Sequence, residues 1–155
     1  MLSLRPASMN DVEAIRALTR EAYAKWVPLI GREPLPMKAD YAEAVRKHRI
    51  DLHFLDGELV ALIEMIPHDD HLLIENVAVS PSAQGRGFGR RLMAHAEDVA
   101  ASLRHAEIRL YTNKLFAENV QLYLKLGYEI EREEAFLGGT IVHMRKPIKT
   151  WQADA

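Results

Sequence analysis

"LLIENVAVSPSAQGRGFGRRLM", residues 72–93, contains the features that decide the fold. Residues 72–79 are nearly continuously apolar, which is typical of a central strand buried on both faces of a sheet. Glycines follow at positions 85, 87 and 89, separated by Arg86 and Phe88 and followed by two more arginines. Apolar side chains then recur at helical spacing, so the stretch predicts a strand, a glycine loop and a helix. The inward positions of that helix are Leu92, Ala96, Val99 and Leu103.

The glycine loop is compatible with several classes of ligand, and the residues that flank it distinguish between them. A nucleotide triphosphate loop needs Lys-Ser/Thr after its last glycine, but Arg90 and Arg91 follow Gly89. A dinucleotide fingerprint needs a third glycine at position 90 and belongs to the first strand–helix turn, whereas this loop follows the fourth predicted strand. A plain turn explains two glycines better than three. Bare amides at a helix N-terminus bind anions, so another phosphorylated cofactor is favoured.

The remaining elements predict an α/β fold with a central mixed, mostly antiparallel sheet of about seven strands, flanked by about four helices. The strand–helix–strand unit at 72–112 implies parallel neighbours, and the hairpins supply antiparallel ones. In the first half we expect a strand at 2–5, a helix from Ser8 to Trp26, a loop at 27–37 and a helix at 41–48 opened by an Asp40/Glu43 capping box. A hairpin over 50–66 follows, turning at Asp56-Gly57, and then a turn at 67–71. In the second half we expect a strand at 106–113, a helix at 117–128 closed by Gly127 and a last hairpin around Gly138-Gly139.

Composition narrows the class of protein. The 155 residues suit one domain over 1–155, with a core at 2–147 and a short tail at 148–155. The formal net charge of −2 gives no general attraction to nucleic acid or membrane. The chain has no cysteine, which excludes disulfides and thiolate nucleophiles. Its N-terminus lacks a signal-peptide core and no apolar run is long enough to span a membrane, so we expect a cytoplasmic protein.

Two separated blocks resemble the GNAT N-acetyltransferases. Gln84, Gly87 and Gly89 match that family's pyrophosphate-binding signature, Q/R-x-x-G-x-G/A. Residues 112–128, "TNKLFAENVQLYLKLGY", resemble the family's helix with its "LYxKLGF" segment. The predicted order of elements over about 2–147 is similar as well. The resemblance implies a GNAT-type acyl-CoA N-acyltransferase fold.

The resemblance also implies acetyl-CoA, or another acyl-CoA, as the phosphorylated ligand. Its pyrophosphate would rest on the amides of Arg86–Gly89, with Gln84 at the start of the loop, and its pantetheine arm would pair with the backbone of a bulged strand at Val77 and Val79. No metal is expected, because the "HDDH" at 68–71 is better explained as a solvated hairpin tip. The cofactor residues implied are Val77, Ala78, Val79, Gln84, Gly85, Arg86, Gly87, Phe88, Gly89, Arg90, Asn119 and Tyr123.

Acetyl transfer to an amine needs a base, a stabilised oxyanion and a proton for the leaving thiolate. Tyr123 matches the family's tyrosine, which implies that it is the acid; the alternative is a packing role on the helix. Glu64 and Glu75 are candidate bases because a carboxylate in an apolar strand is costly unless it is paired or functional. The alternative is that either one faces solvent. Asn119 departs from the family's more common pattern, which has an asparagine at the position of Phe116.

The acceptor is expected to be a primary amine of a small molecule that attacks directly in a ternary complex. Tyr23, Trp26 and Tyr41 flank the proline-rich segment and are candidate acceptor contacts, as is Tyr111; core packing is the alternative for each. Rival functions are acetylation of a protein or peptide amine and a non-catalytic CoA-binding module, with a dinucleotide-dependent oxidoreductase a distant third. A homodimer is the candidate assembly.

Overall fold

A computed structural model describes residues 2–148. Within this range the chain forms a seven-stranded sheet and five α-helices, one of which is a single turn. Short 3-10 turns lie at Met9–Asp11, Ala24–Trp26, Leu35–Met37 and Pro81–Ala83. The elements in chain order are β1 Arg5–Pro6, α1 Val12–Tyr23, α2 Val27–Ile30, α3 Tyr41–Lys47, β2 Arg49–Leu55, β3 Glu58–Pro67, β4 His71–Val79, α4 Phe88–Ser102, β5 Glu107–Asn113, α5 Ala117–Lys125, β6 Glu129–Phe136 and β7 Gly139–Pro147.

The sheet has the strand order β1-β2-β3-β4-β5-β7-β6. Strands β4 and β5 pair in parallel, as the intervening helix α4 requires. The pairs β1/β2, β2/β3, β5/β7 and β6/β7 are antiparallel. The predicted fold class, a mixed and mostly antiparallel sheet with helices, is therefore confirmed.

The chain divides into two compact units. The first contains the described residues up to 66 together with 75–95, and the second contains 67–74 together with 96–148. The expectation of a single domain remains a prediction. No helix among residues 2–148 is long and apolar enough to cross a membrane. The predicted tail falls almost wholly at 149–155, outside the described residues; Ile148 itself donates a backbone hydrogen bond to the carbonyl of Ala106.

The core of the first unit joins one face of its strands to α1 and α3. The apolar residues of α1 recur every three or four positions and so form one stripe. Ile50 and Leu52 of β2, Leu62 of β3 and Ala78 of β4 pack against this stripe. The helical members of the cluster are Val12, Ile15, Leu18, Ala22, Tyr41 and Ala44.

The second unit has its core where β4, β5 and β7 lie side by side. Ile74 is in register with Leu110, which in turn is opposite Met144 on β7, and all three side chains are buried. Along β4 burial alternates strictly, with the odd-numbered residues from 71 to 79 only half-buried. The prediction that this strand is buried on both faces is therefore wrong for one face. The bulge that the family resemblance implies in this strand remains a prediction.

Several local predictions change in the structure. The first strand lies at Arg5–Pro6 rather than at 2–5. The predicted loop at 27–37 contains α2 and the 3-10 turn Leu35–Met37, because a proline in the first turn of a helix loses no intrahelical bond. The last hairpin turns at Leu137-Gly138, with φ of 47° and 79°, instead of Gly138-Gly139. The Asp56-Gly57 turn is confirmed, with φ of 50° and 81°.

The start of α3 shows half of the predicted capping box. The Asp40 side chain accepts a hydrogen bond from the backbone N–H of Glu43 at 3.1 Å. The Glu43 carboxylate pairs instead with Arg46 and Lys47, at 2.9 and 2.6 Å. Two cations one turn away attract the carboxylate more strongly than a backbone amide does, so the reciprocal bond to the cap is replaced by ion pairs.

Candidate active site

The glycine loop connects β4 to α4 in the first unit. After the turn Pro81–Ala83, Gly85 and Gly87 adopt left-handed backbone conformations, with φ of 81° and 83°. Only glycine takes these values without strain, so the local path of the chain requires both residues. A Cβ atom added at either position would meet no protein atom within 4 Å. The space in front of the loop is therefore open to a ligand.

The exposed loop leads directly into the first turn of α4. The first hydrogen bond into the helix runs from the N–H of Arg91 to the carbonyl of Gly87, at 3.1 Å. The amides of Phe88, Gly89 and Arg90 precede that bond and have no intrahelical acceptor. Such amides, at the positive end of a fifteen-residue helix, suit an anion such as a pyrophosphate.

Side chains around the loop hold it in shape. The Gln84 amide nitrogen donates to the carbonyl of Val79 at 3.2 Å, closing the turn after β4. Arg91 donates to the carbonyl of Arg86 at 3.3 Å, and its guanidinium lies 5.3 Å from the centre of the Phe88 ring. The Phe88 side chain is buried, so it could contact a cofactor through its backbone alone. Arg86 and Arg90 are exposed.

Glu64 is a buried carboxylate with a histidine partner. Its side chain is 5% exposed, and one carboxylate oxygen lies 2.6 Å from Nδ1 of His48. Burial raises the pKa of Glu64, while the hydrogen bond and charge of His48 oppose the rise and the charge of Glu75 adds to it. The alternative in which Glu64 faces solvent is therefore excluded. The sequence offers no motif for His48, which lies sixteen residues from its partner.

Glu75 and Tyr41 belong to the same electrostatic neighbourhood. Glu75 is half-buried on β4, and its charge raises the pKa of both Glu64 and Tyr41. The Tyr41 side chain is completely buried, and its hydroxyl donates to the carbonyl of Pro36 at 2.6 Å. That burial supports the core-packing alternative for Tyr41 over a contact with the acceptor.

Asn76 is a buried polar residue beside the candidate site that sequence reasoning did not single out. It is buried on β4, where its side-chain oxygen accepts from the hydroxyl of Tyr23 at 2.8 Å. Its nitrogen donates to the hydroxyls of Tyr41 and Thr19, at 3.3 and 3.4 Å. The Tyr23 hydroxyl also lies 3.4 Å from the carbonyl of Val77. A lone asparagine within an apolar strand was the available signal.

The other predicted site residues of the first unit are strand residues of β4 and the largely buried Trp26. The side chain of Ala78 is in the core, whereas Val77 and Val79 are half-buried. Trp26 is largely buried, with the ammonium group of Lys25 4.8 Å from its ring centre. Packing thus accounts for most of the Trp26 surface.

The remaining predicted residues lie in the second unit. Tyr123 on α5 is half-buried, and burial raises its pKa to about 12. Its ring centre is 6.0 Å from that of Tyr128. Asn119 is half-buried on the same helix, and Phe116 before it is buried. Tyr111 is exposed and packs 5.8 Å from the His143 ring.

The "HDDH" segment forms the turn before β4. The rings of His68 and His71 stack with centres 4.5 Å apart, and Asp70 accepts from His71 at 2.8 Å. Within residues 2–148 no three His, Asp or Glu side chains are grouped so as to hold a metal ion.

Comparison with known proteins identifies the family. The model of the acetyltransferase (GNAT) family matches residues 13–128. Streptothricin acetyltransferase of Streptomyces lavendulae is 31% identical over 75 residues, which are 47% of this chain and 40% of that protein. The chain thus aligns with about two fifths of the length of this curated relative.

Two solved structures share the whole fold. The ribosomal-protein-S18-alanine N-acetyltransferase of Escherichia coli superposes with a TM-score of 0.79 at 19% identity, covering 100% of this chain and 99% of that one. The PaiA N-acetyltransferase of Thermoplasma acidophilum, in complex with coenzyme A, gives 0.80 at 19% identity, covering 95% and 99%.

The fold and the family match define the class of protein as an acyl-CoA-dependent transferase. The chain belongs to the acetyltransferase (GNAT) family, since the family model spans well over half of it. The resemblance drawn from the two sequence blocks is therefore confirmed.

Proposed function

We propose that this enzyme transfers the acetyl group of acetyl-CoA to a primary amine of a small, cationic molecule. The observation that carries the proposal is the pair of carboxylates in the first unit, Glu64 and Glu75, which lie close enough for the charge of Glu75 to raise the pKa of Glu64. Two neighbouring negative charges favour a cationic acceptor. The curated relative, named for streptothricin rather than for a protein, supports a small-molecule acceptor.

The loop between β4 and α4 would hold the cofactor. Acetyl-CoA supplies the acetyl group, and the open space before Gly85 and Gly87 fits its pyrophosphate. The amides of Arg86–Gly89 would bind that group, with Gln84 and the exposed Arg90 beside it. The backbone of Val77 and Val79 would pair with the pantetheine arm, and Asn119 would contact the cofactor from α5.

The proposed chemistry is direct attack by the amine. Glu64 is the leading base, with Glu75 the alternative, because a buried carboxylate with a raised pKa is better matched to taking an amine proton than an exposed one. The backbone amide near Val77 would stabilise the oxyanion. Tyr123 would protonate the leaving thiolate; with a pKa of about 12 its hydroxyl keeps its proton at neutral pH. A chain without cysteine has no thiol for an acyl-enzyme route.

The rival acceptor is a protein or peptide amine, in line with the substrate for which the Escherichia coli neighbour is named. Thiol release from acetyl-CoA would be measured with diamines, aminoglycoside-type and streptothricin-type amines, neutral amino acids and peptides with free N-termini. We expect turnover with the cationic small molecules. Turnover with peptides alone would assign the rival acceptor, and inertness with every amine would contradict the proposal.

A cytoplasmic location and a homodimer are also proposed. Light scattering would test the homodimer.

A non-catalytic CoA-binding module would bind the cofactor without turnover. Tyr123→Phe distinguishes the two, because loss of the acid should lower kcat by roughly a hundredfold or more, while the ring that remains keeps most of the thermal stabilisation by CoA. Tyr128→Phe is the matched control: its buried hydroxyl has no hydrogen-bond partner among the described residues, so its removal should leave kcat unchanged. Equal kcat for wild type and Tyr123→Phe would remove Tyr123 from the reaction.

A further inference from the structure

His48 and Glu64 form a pair with one buried and one accessible member. The Glu64 side chain is 5% exposed and that of His48 is 26% exposed, with 2.6 Å between Nδ1 and the carboxylate oxygen. His48 directly follows α3, and its backbone N–H is bonded to the carbonyl of Ala44 at 2.8 Å. The imidazole is thus attached to a fixed point of the backbone, at the C-terminal end of α3.

Resting on the proposed function, we propose that His48 is a positioning residue that holds Glu64 ionised and oriented to accept the proton of the acceptor amine. The Nδ1–H group donates to one carboxylate oxygen and leaves the other for the substrate. The ammonium proton moves to that second oxygen, Glu64 becomes the neutral acid, and the nitrogen lone pair attacks the acetyl carbon. The C–S bond then breaks, the CoA thiolate takes a proton from Tyr123, and the amide nitrogen loses its second proton, which restores Tyr123 through solvent. The proton on Glu64 returns to solvent before the next turnover, so one proton is released for each acetyl group transferred and charge and atoms balance.

The charges around Glu64 make this partner necessary. From β4, Glu75 disfavours a second negative charge, and burial in β3 acts in the same direction. From α3, the neutral Tyr41 faces this group and is completely buried. The positive charge of Arg16 on α1 lowers the pKa of Tyr41, whereas burial raises it. His48 is the group that opposes these effects, chiefly through its hydrogen bond. A carboxylate without it would be protonated over more of the working pH range and free to rotate.

The same unit offers a matched control pair. Nε2 of His95 lies 2.7 Å from Asp51, whose side chain is 4% exposed while that of His95 is 24% exposed. Distance and burial therefore resemble those of His48 and Glu64, although Asp51 also accepts a hydrogen bond from Arg49 at 3.1 Å. This pair joins α4 to β2 and takes no part in the proposed reaction. His95→Ala measures what losing a buried histidine–carboxylate contact does in general.

The experiment combines an NMR titration of the Glu64 side-chain carboxyl carbon with the pH dependence of kcat/KM. In His48→Ala we expect both the titration and the acidic limb of the profile to move up by about one pH unit, which lowers kcat/KM about tenfold at pH values on that limb. His48→Asn, whose amide nitrogen replaces Nδ1 as a donor, should restore most of kcat/KM. His95→Ala should leave the Glu64 titration in place.

The outcomes separate the inference from the proposed function. An unchanged Glu64 titration in His48→Ala, or an Asn variant no better than Ala, overturns the role of His48. A shift of equal size in His95→Ala overturns it too, because the effect would then be general. If wild type acetylates no amine, the proposed function fails, while the NMR titration still decides whether His48 controls the ionisation of Glu64.

Discussion

Gly87 and Gly57 have nearly the same backbone conformation in very different places, with φ of 83° and 81°. An alanine at either position meets no protein atom within 4 Å but must adopt the left-handed region, at about 1–2 kcal/mol. Gly87→Ala should add to this a loss of cofactor binding, because its methyl group projects into the space proposed for the pyrophosphate. We expect a weaker thermal stabilisation by CoA and a KM for acetyl-CoA raised about tenfold or more.

Gly57→Ala is the control for backbone strain, since Gly57 lies in the β2–β3 turn. It should lower the free energy of unfolding by a similar amount and leave the KM for acetyl-CoA unchanged. If both variants lose CoA binding to the same degree, the effect is strain transmitted through the fold, and the loop is not the binding site.

At the residue scale the sequence identified side chains by chemical type but not by contact. Glu64 could be predicted because a carboxylate within "ALIEMI" contradicts the apolar pattern around it. His48 could not, since its bond to Glu64 depends on how the chain leaves α3 and enters β2. Tyr41 was predicted to line a site and is instead buried, because an aromatic residue beside a proline-rich loop suits either place.

Among the elements, β4 is tied to two helices through Asn76. Thr19 and Tyr23 of α1 and Tyr41 of α3 all bond to this one side chain. Asn76→Leu keeps the approximate volume and leaves these hydroxyls short of a partner, so the free energy of unfolding should fall by about 1–3 kcal/mol in urea denaturation. KM for the acceptor should rise as well, since Tyr23 also lies near the carbonyl of Val77.

Tyr23→Phe serves as the smaller companion change, because it removes one of the three bonds to Asn76. Its effect on the free energy of unfolding should be about 1 kcal/mol or less. Equal stability of Asn76→Leu and wild type would show that the network does not hold the helices to the strand.

Elements were predicted best where turn chemistry and periodicity agreed. The Asp56-Gly57 hairpin turn and the stripe of α1 are of this kind. Gly138-Gly139 offered two equivalent positions for one turn, and the pairing of Phe136 with Gly139 across it selected Leu137-Gly138. The proline-rich segment 27–37 is predicted to be a loop. A proline is tolerated in the first turn of a helix, but the sequence does not show where such a turn begins, so α2 and the 3-10 turn in this segment could not be predicted.

For the whole molecule, the buried Glu64 is expected to lower the free energy of unfolding when it is ionised, although the proposed reaction needs the ionised form. Burial raises the pKa of Glu64, so the folded protein binds this proton more tightly than the unfolded chain does. Stability from this group is therefore fully present at low pH and is lost as the pH rises past the ordinary value of 4.5 and through the raised pKa. Glu64→Gln stays neutral and avoids that loss, while its amide oxygen can still accept the bond from His48.

We expect the difference in Tm between Glu64→Gln and wild type to become more favourable to the variant as the pH rises from 5 to 8. Acetyl transfer should be abolished in the variant. Removing a buried charge that His48 compensates only in part stabilises the fold, and removing the base stops the reaction. Glu13→Gln is the control, because the Glu13 side chain is 86% exposed and makes only a surface ion pair with Arg16, which contributes little to stability. Differential scanning calorimetry at both pH values decides the matter. A difference in Tm that does not change with pH would show that Glu64 carries no ionisation penalty, and an active Glu64→Gln would transfer the role of base to Glu75.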